Sequence, residues 1–256
     1  MTPAVRGNVD IFPDGAALTA AVAERFVAAA AAAIEATETF SVALSGGSTP
    51  RALFTALASP EYSSRVQWSA VHVFWGDERC VGPADADSNY RMARETLLDH
   101  VPIRPTNIHR IRGEEDPAVA AERYERELRL AFETPTGPPR SDPGARFDLT
   151  LLGLGTNGHT ASLFPHMQGV REHTRWVMAE NVEVVQLWRI TLTPVILNRS
   201  AEILFLVSGK EKAAILRRVL YGARETDELP AQSIAPVDGR LRWMVDAAAA
   251  SELPAT

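Results

Sequence analysis

The chain has one cysteine, Cys80, among its 256 residues. A lone thiol forms no intramolecular disulfide and no thiolate metal cluster, so a reducing cytosol is the expected setting. Basic charge is also scarce. The formal charge is −6, and nucleic acid, which needs a basic face, is not an expected partner. An acidic protein still binds a small anion where a few cations and helix N-termini reverse the field at one spot. Long apolar runs are missing too. The charge-free stretch "FVAAAAAAI" is far short of the roughly 20 residues of a membrane span. The start, "MTPAVRGNVDIFPDG", lacks the basic-then-apolar order of a secretory signal. No membrane partner is expected.

What remains is an ordinary globular composition, 46% hydrophobic and 23% charged, long enough for a full core. A single domain over residues 1–256 is the simplest organisation. Leu18, Val22, Phe26 and Ala30 recur near helical spacing over residues 16–36, followed by the β-type run "FSVAL". The alternation continues with a helix over "RALFTALA", a strand "AVHVFW", a helix over 89–98, a short strand near "NIHRI" and a helix over "DPAVAAERYERELRLAF". "ETPTGPPRSDPGAR" reads as an exposed loop. Beyond it come the strands "FDLTLL", "WVMAE" and "WRITLT", a helix over "PVILNRS", the strand "EILFLVS", a helix over "KEKAAILRRVL" and a last strand "LRWMV". Apolar strands alternating with helices imply a mostly parallel sheet covered on both faces, a three-layer α/β/α fold. Ligands in such folds sit at the C-terminal ends of the strands.

Four strand ends carry polar chemistry. After "FSVAL" come Ser45, Gly46, Gly47, Ser48 and Thr49, then Pro50. The glycines let backbone approach an anion and the next helix offers unpaired N–H groups; a plain glycine turn with a Ser/Thr cap has the same letters. After "AVHVFW" come Asp77, Glu78 and Arg79. Arg79 can grip a phosphate with an acid orienting it, or the three form an exposed turn with an internal ion pair. Asp87, Ser88 and Asn89 suit the cap of the following helix.

After "FDLTLL" comes "GLGTNGHTASLFP", with Gly153, Gly155 and Gly158 at the dinucleotide spacing and Glu180 at about the distance of the ribose acid, ~20 residues on. Pro165 leaves the expected helix barely two turns, and His159 stands where a diphosphate needs open backbone. A histidine at a helix N-terminus is disfavoured as imidazolium, so His159 is expected to be neutral and able to take a proton. The alternative is a histidine bonded into a neighbouring loop. After "EILFLVS" come Gly209 and Lys210, a cation at a helix start, either a second anion ligand or a solvated lysine.

Together "SGGSTP", "WGDER", "DSNY", "GLGTNGHTASLFP" and "SGKEKA", in this order, resemble the 6-phosphogluconolactonase family, whose superfamily includes glucosamine-6-phosphate deaminases and ribose-5-phosphate isomerases. The resemblance runs from about residue 9 to residue 245. It implies a Rossmann-like fold and hydrolysis of 6-phospho-D-glucono-1,5-lactone to 6-phosphogluconate, in the oxidative pentose phosphate pathway, with no metal or organic cofactor. His159 corresponds to the family's general base. Ser45, Gly46, Gly47, Ser48, Thr49, Asp77, Arg79, Asn157, Gly158 and Lys210 fall on its substrate-binding segments. Most members have aspartate where this chain has Asn157. An oxyanion on the lactone carbonyl would be met by backbone N–H groups of Gly155 to Gly158 or by Arg79. Rival functions are a sugar-phosphate isomerase or deaminase, with Asp77 moving a proton, and a non-enzymatic sugar-phosphate sensor. Deaminases usually carry a glutamate after the histidine, and Ser162, Leu163 and Phe164 take that place here. A monomer or weak homodimer is expected.

Overall fold

The computed structural model describes residues 6–133, 146–182 and 186–254. The loop expected at "ETPTGPPRSDPGAR" falls almost wholly outside the described residues. Strands β1 (Asn8–Phe12), β2 (Phe40–Leu44), β3 (Val71–Trp75), β5 (Leu149–Gly153), β8 (Glu202–Val207) and β9 (Arg240–Asp246) form one parallel sheet in the order β1-β9-β8-β5-β2-β3. Helices α1 (Gly15–Thr37), α2 (Ser48–Ala58), α3 (Pro60–Ser63), α4 (Asn89–Thr96), α5 (Pro117–Glu133), α6 (Pro194–Leu197) and α7 (Ala213–Tyr221) flank the strands. Every residue of β2 and of β8 is buried, the mark of a parallel sheet covered on both faces. Each large apolar side chain there contributes about 1.5–3 kcal/mol by leaving water. Phe205 and Trp243 stack at 3.9 Å across β8 and β9.

By length and hydropathy alone α1 could cross a membrane. It carries Glu24, which is bonded to Arg65, and Arg25, which clasps the buried Glu202. The face bearing Leu18, Val22, Phe26 and Ala30 packs into the core.

A second sheet is antiparallel, in the order β4-β7-β6, from β4 (Asp77–Arg79), β7 (Leu187–Leu192) and β6 (Val177–Val182). Gly76 is the hinge between the sheets: its N–H donates to Leu44 O of β2, and its carbonyl accepts from Leu192 N of β7. The acidic-basic run after β3 is therefore a short strand of its own rather than a turn. Four other local expectations change. β1 was not anticipated. The segment near "NIHRI" makes only an isolated bridge from Ile108 to Val73. The helix at "PVILNRS" is one turn. No helix follows β5, where the chain instead turns twice and closes a Thr160–Leu163 bridge. Left-handed backbone at Gly158 (φ 84°), Ala161 (φ 48°) and His166 (φ 64°) is incompatible with continuous helix.

Candidate active site

A cavity of about 360 Å3 opens at the C-terminal ends of β2, β5 and β8. Residues Ser45–Pro50 line one end. There Gly47 is the N-cap of α2 at φ 103°, and no side chain caps the helix. Ser48 and Thr49 thus keep their hydroxyls and first-turn N–H groups for something else, which is what an anion at a helix N-terminus uses. Gly46 has no room for a side chain: a Cβ would stand 2.0 Å from Asn89 Oδ1.

One wall holds Asp77, Arg79 and Asn89. Beneath it the buried carboxylate of Glu78 accepts from the N–H groups of Arg79, Asn89 and Tyr90 and from Ser88 Oγ. Burial raises its proton affinity, against those same hydrogen bonds. Glu78 is thus the anchor of the α4 N-terminus, which Ser88 caps through Arg91 N. Asn89 Nδ2 donates to Asp77 O at 2.9 Å, and Asp77 Oδ2 accepts from the buried Ser162 Oγ at 2.6 Å.

The facing wall is the loop after β5, from Gly153 to Thr156 with His159 and Ala161. Asn157 Oδ1 accepts from His159 N at 3.2 Å and lies 2.5 Å from His159 Nδ1. An amide oxygen only accepts, so Nδ1 carries the proton and Nε2 the lone pair. The imidazole stacks on Phe164, with centroids 4.2 Å apart. Gly155 makes space for the ring, since a Cβ there would come within 2.0 Å of Nδ1. Burial lowers the pKa of His159 to about 4; Asp77 pulls it upward, while Arg189, Lys212 and Arg79 push it down. The histidine is neutral as expected, but for a different reason: no helix starts here, and burial with nearby cations replaces the dipole.

Lys212 closes the cavity together with Ser208 and Glu211. Lys210 is exposed and does not line it. The two lysines sit in a 3-10 turn, Lys210–Lys212, where residues two apart point about 240° from each other. Asn157 and Gly158 are also absent from the lining. Asn157 acts through the ring it holds, and Gly158 turns the loop at φ 84°, with no room for a Cβ beside Leu229. Gln232 brackets Val219, Ala223 and Glu225 by hydrogen bonds. Glu180, a candidate ribose acid, accepts from Gly169 N instead. Sequence reasoning missed Lys212 and the contacts of Asn89, Ser162, Phe164 and Arg189. The one available signal was Arg189, a charge inside the β-type run "WRITLT". A depression of about 410 Å3 at the opposite ends of the strands, beside the alanines of α1, holds none of the candidate residues.

Comparison with known proteins bears on this geometry. A curated 6-phosphogluconolactonase of Haemophilus influenzae is 38% identical over 208 residues, covering 81% of this chain and 85% of its own length. One of a Nostoc species is 37% identical over 250 residues, covering 97% and 99%. The solved 6-phosphogluconolactonase from Trypanosoma cruzi superposes with a TM-score of 0.84 at 27% identity, covering 99% of both chains. The family described as "Glucosamine-6-phosphate isomerases/6-phosphogluconolactonase" matches residues 13–243, and the chain belongs to that family.

Proposed function

We propose that this protein hydrolyses 6-phospho-D-glucono-1,5-lactone to 6-phospho-D-gluconate, the reaction that gives its curated relatives their name. The observation that carries the reading is His159: a neutral imidazole, tied at Nδ1 and open at Nε2, facing a cavity whose other end is an uncapped helix N-terminus. The substrate phosphate sits against Ser45–Thr49, with Lys212 in the role that sequence reasoning gave to Lys210. That binding energy, far from the reacting carbon, orients the ring. Nε2 then takes a proton from the water that attacks the lactone carbonyl. No metal or organic cofactor is required for this step. The reaction belongs in the cytosol within the oxidative pentose phosphate pathway, carried out by a monomer or weak homodimer.

An isomerase or deaminase would use Asp77 as its proton carrier, and Asp77 does line the cavity. Its Oδ2 is occupied by Ser162, which favours an orienting role. The test follows acid release from freshly generated lactone, with the spontaneous rate subtracted, beside assays for ammonia and ketose phosphate. Acid release well above background supports the lactonase. No acceleration, or product in either of the other assays, overturns it.

A further inference from the structure

Arg189 stands in the middle of the antiparallel sheet, directly opposite Arg79 on β4 and Glu180 on β6. Its side chain is only 13% exposed. A guanidinium has five N–H donors, yet among the described residues Arg189 donates no hydrogen bond. Its Nε is buried without an acceptor. The nearest carboxylate oxygen, Asp77 Oδ2, is 3.9 Å away and already accepts from Ser162. Glu180 spends one oxygen on Gly169 N and leaves the other unpartnered.

The neighbour across the strands is a second cation. Arg79 donates from Nη1 to Asp87 O and also has a buried Nε without an acceptor. Like charges directly opposite on antiparallel strands destabilise a sheet, and unsatisfied buried donors cost more again. An anion held between the two guanidiniums would satisfy both. The pair also lies beside the base: the Arg189 guanidinium is 5.8 Å from the centroid of Phe164, the ring on which His159 stacks. Two of the four N–H groups of the backbone alternative, Gly155 to Gly158, are consumed. Gly155 N donates to His159 O, Gly158 N to Gly155 O, and His159 N to Asn157 Oδ1.

Arg189 does not itself line the cavity, whereas Arg79 and Asp77, whose Oδ2 is 3.9 Å from Arg189 Nη1, do. We propose that Arg189 reaches bound substrate from behind that wall as a catalytic residue and forms, with Arg79, a second anion subsite at the reacting end of the cavity. This rests on the lactonase reading. As the water oxygen bonds to C1, the carbonyl π pair moves onto oxygen and one water proton passes to His159 Nε2. The arginine pair receives that oxyanion. Its collapse restores the C=O bond and breaks the bond from C1 to the ring oxygen, which takes the proton back from His159 as it becomes a hydroxyl. The new carboxyl group loses its proton to solvent, and its carboxylate remains on the same two cations until the product leaves.

The experiment compares wild type with Arg189→Gln and Arg189→Lys, using two inhibitors that share a phosphate: 6-phosphogluconate, and glucitol 6-phosphate, which has an alcohol in place of the carboxylate. For Arg189→Gln the turnover number falls about 10²–10³-fold, as for loss of an oxyanion donor, with KM changed far less. The inhibition constant of 6-phosphogluconate weakens about 10-fold or more, while that of glucitol 6-phosphate is unchanged, which also shows the cavity to be folded. Arg189→Lys, a charge without the planar fork, recovers part of both losses. Equal weakening of the two inhibitors, or of neither, overturns the proposal and leaves Arg189 as a support for Asp77. If wild type fails to hydrolyse the lactone while the carboxylate preference is lost in Arg189→Gln, the subsite stands and the lactonase reading falls.

Discussion

The two ends of the cavity are built by different means. In the proposed reading the phosphate end rests mainly on one continuous stretch, Ser45–Pro50, whose glycines and helix start offer backbone and small hydroxyls, with Lys212 added from a second element. The proposed reacting end is assembled from β4 and the loop after β5, and its chemistry lies in side chains held by other side chains: His159 by Asn157 and Phe164, Asp77 by Ser162 and Asn89. A group that only needs to be gripped can be served by local backbone. A proton acceptor and an oxyanion need atoms placed to within about 0.5 Å, and that takes several elements.

If the two ends are separable, damage at the reacting end should reach turnover and spare phosphate binding. The largest effect is expected from His159→Gln, a loss of about 10²–10⁴ in kcat with the inhibition constant of glucitol 6-phosphate unchanged. A variant retaining full activity above the spontaneous rate would remove His159 from the reaction. Gly155→Ala is the sharper probe, because it removes no reacting group. Its methyl would meet the imidazole at 2.0 Å from Nδ1, and a ring can swing aside at little cost in fold stability. A displacement on that scale costs about 10²-fold in kcat, with the melting temperature nearly unchanged. Unaltered kcat would mean the ring has slack that the packing does not show.

The phosphate end should respond in the opposite way. Lys212→Met removes a charge-assisted contact worth about 1.5–3 kcal/mol, so KM rises about 10-fold or more while kcat changes far less. Lys210→Met, on the exposed side of the same turn, leaves both alone. The reverse result would restore the assignment made from sequence.

The same contrast accounts for what the sequence made legible. The Ser45–Pro50 turn from strand into helix is legible because its signal is local: glycines after a buried strand, hydroxyls at a helix start. Alternating apolar runs likewise marked β2, β3, β5 and β8. The β4-β7-β6 sheet was not legible as a separate layer, since nothing local tells "WRITLT" that it will pair antiparallel with "DER" rather than join the parallel sheet. Arg189 stands out as a charge in a β-type run, but its neighbours Arg79 and Glu180 are not legible for that reason. Read as a helix start, the segment points to Lys210; its first turn is 3-10 in the structure, and Lys212 is the lysine that lines the cavity. At His159 the neutral state was anticipated on the wrong physics, a dipole where the structure has burial.

Asn157 offers the smallest and most informative change. With the His159 pKa near 4, the base is already unprotonated above about pH 5, and its own acid limb in kcat/KM falls near pH 4. The substrate phosphate adds a limb of its own near pH 6, common to every variant, so the ratio of two profiles cancels it. Asn157→Asp places a carboxylate where an amide oxygen now lies 2.5 Å from Nδ1. Negative charge there favours imidazolium, so the histidine pKa rises, by about 1–3 units, and the limb moves up with it. A stronger base that is still mostly neutral at pH 7.5 abstracts a proton faster, so the neutral-pH rate should rise a few-fold. A variant whose limb stays near pH 4 would mean that burial and the three neighbouring cations, rather than the partner of Nδ1, set the proton affinity of this imidazole.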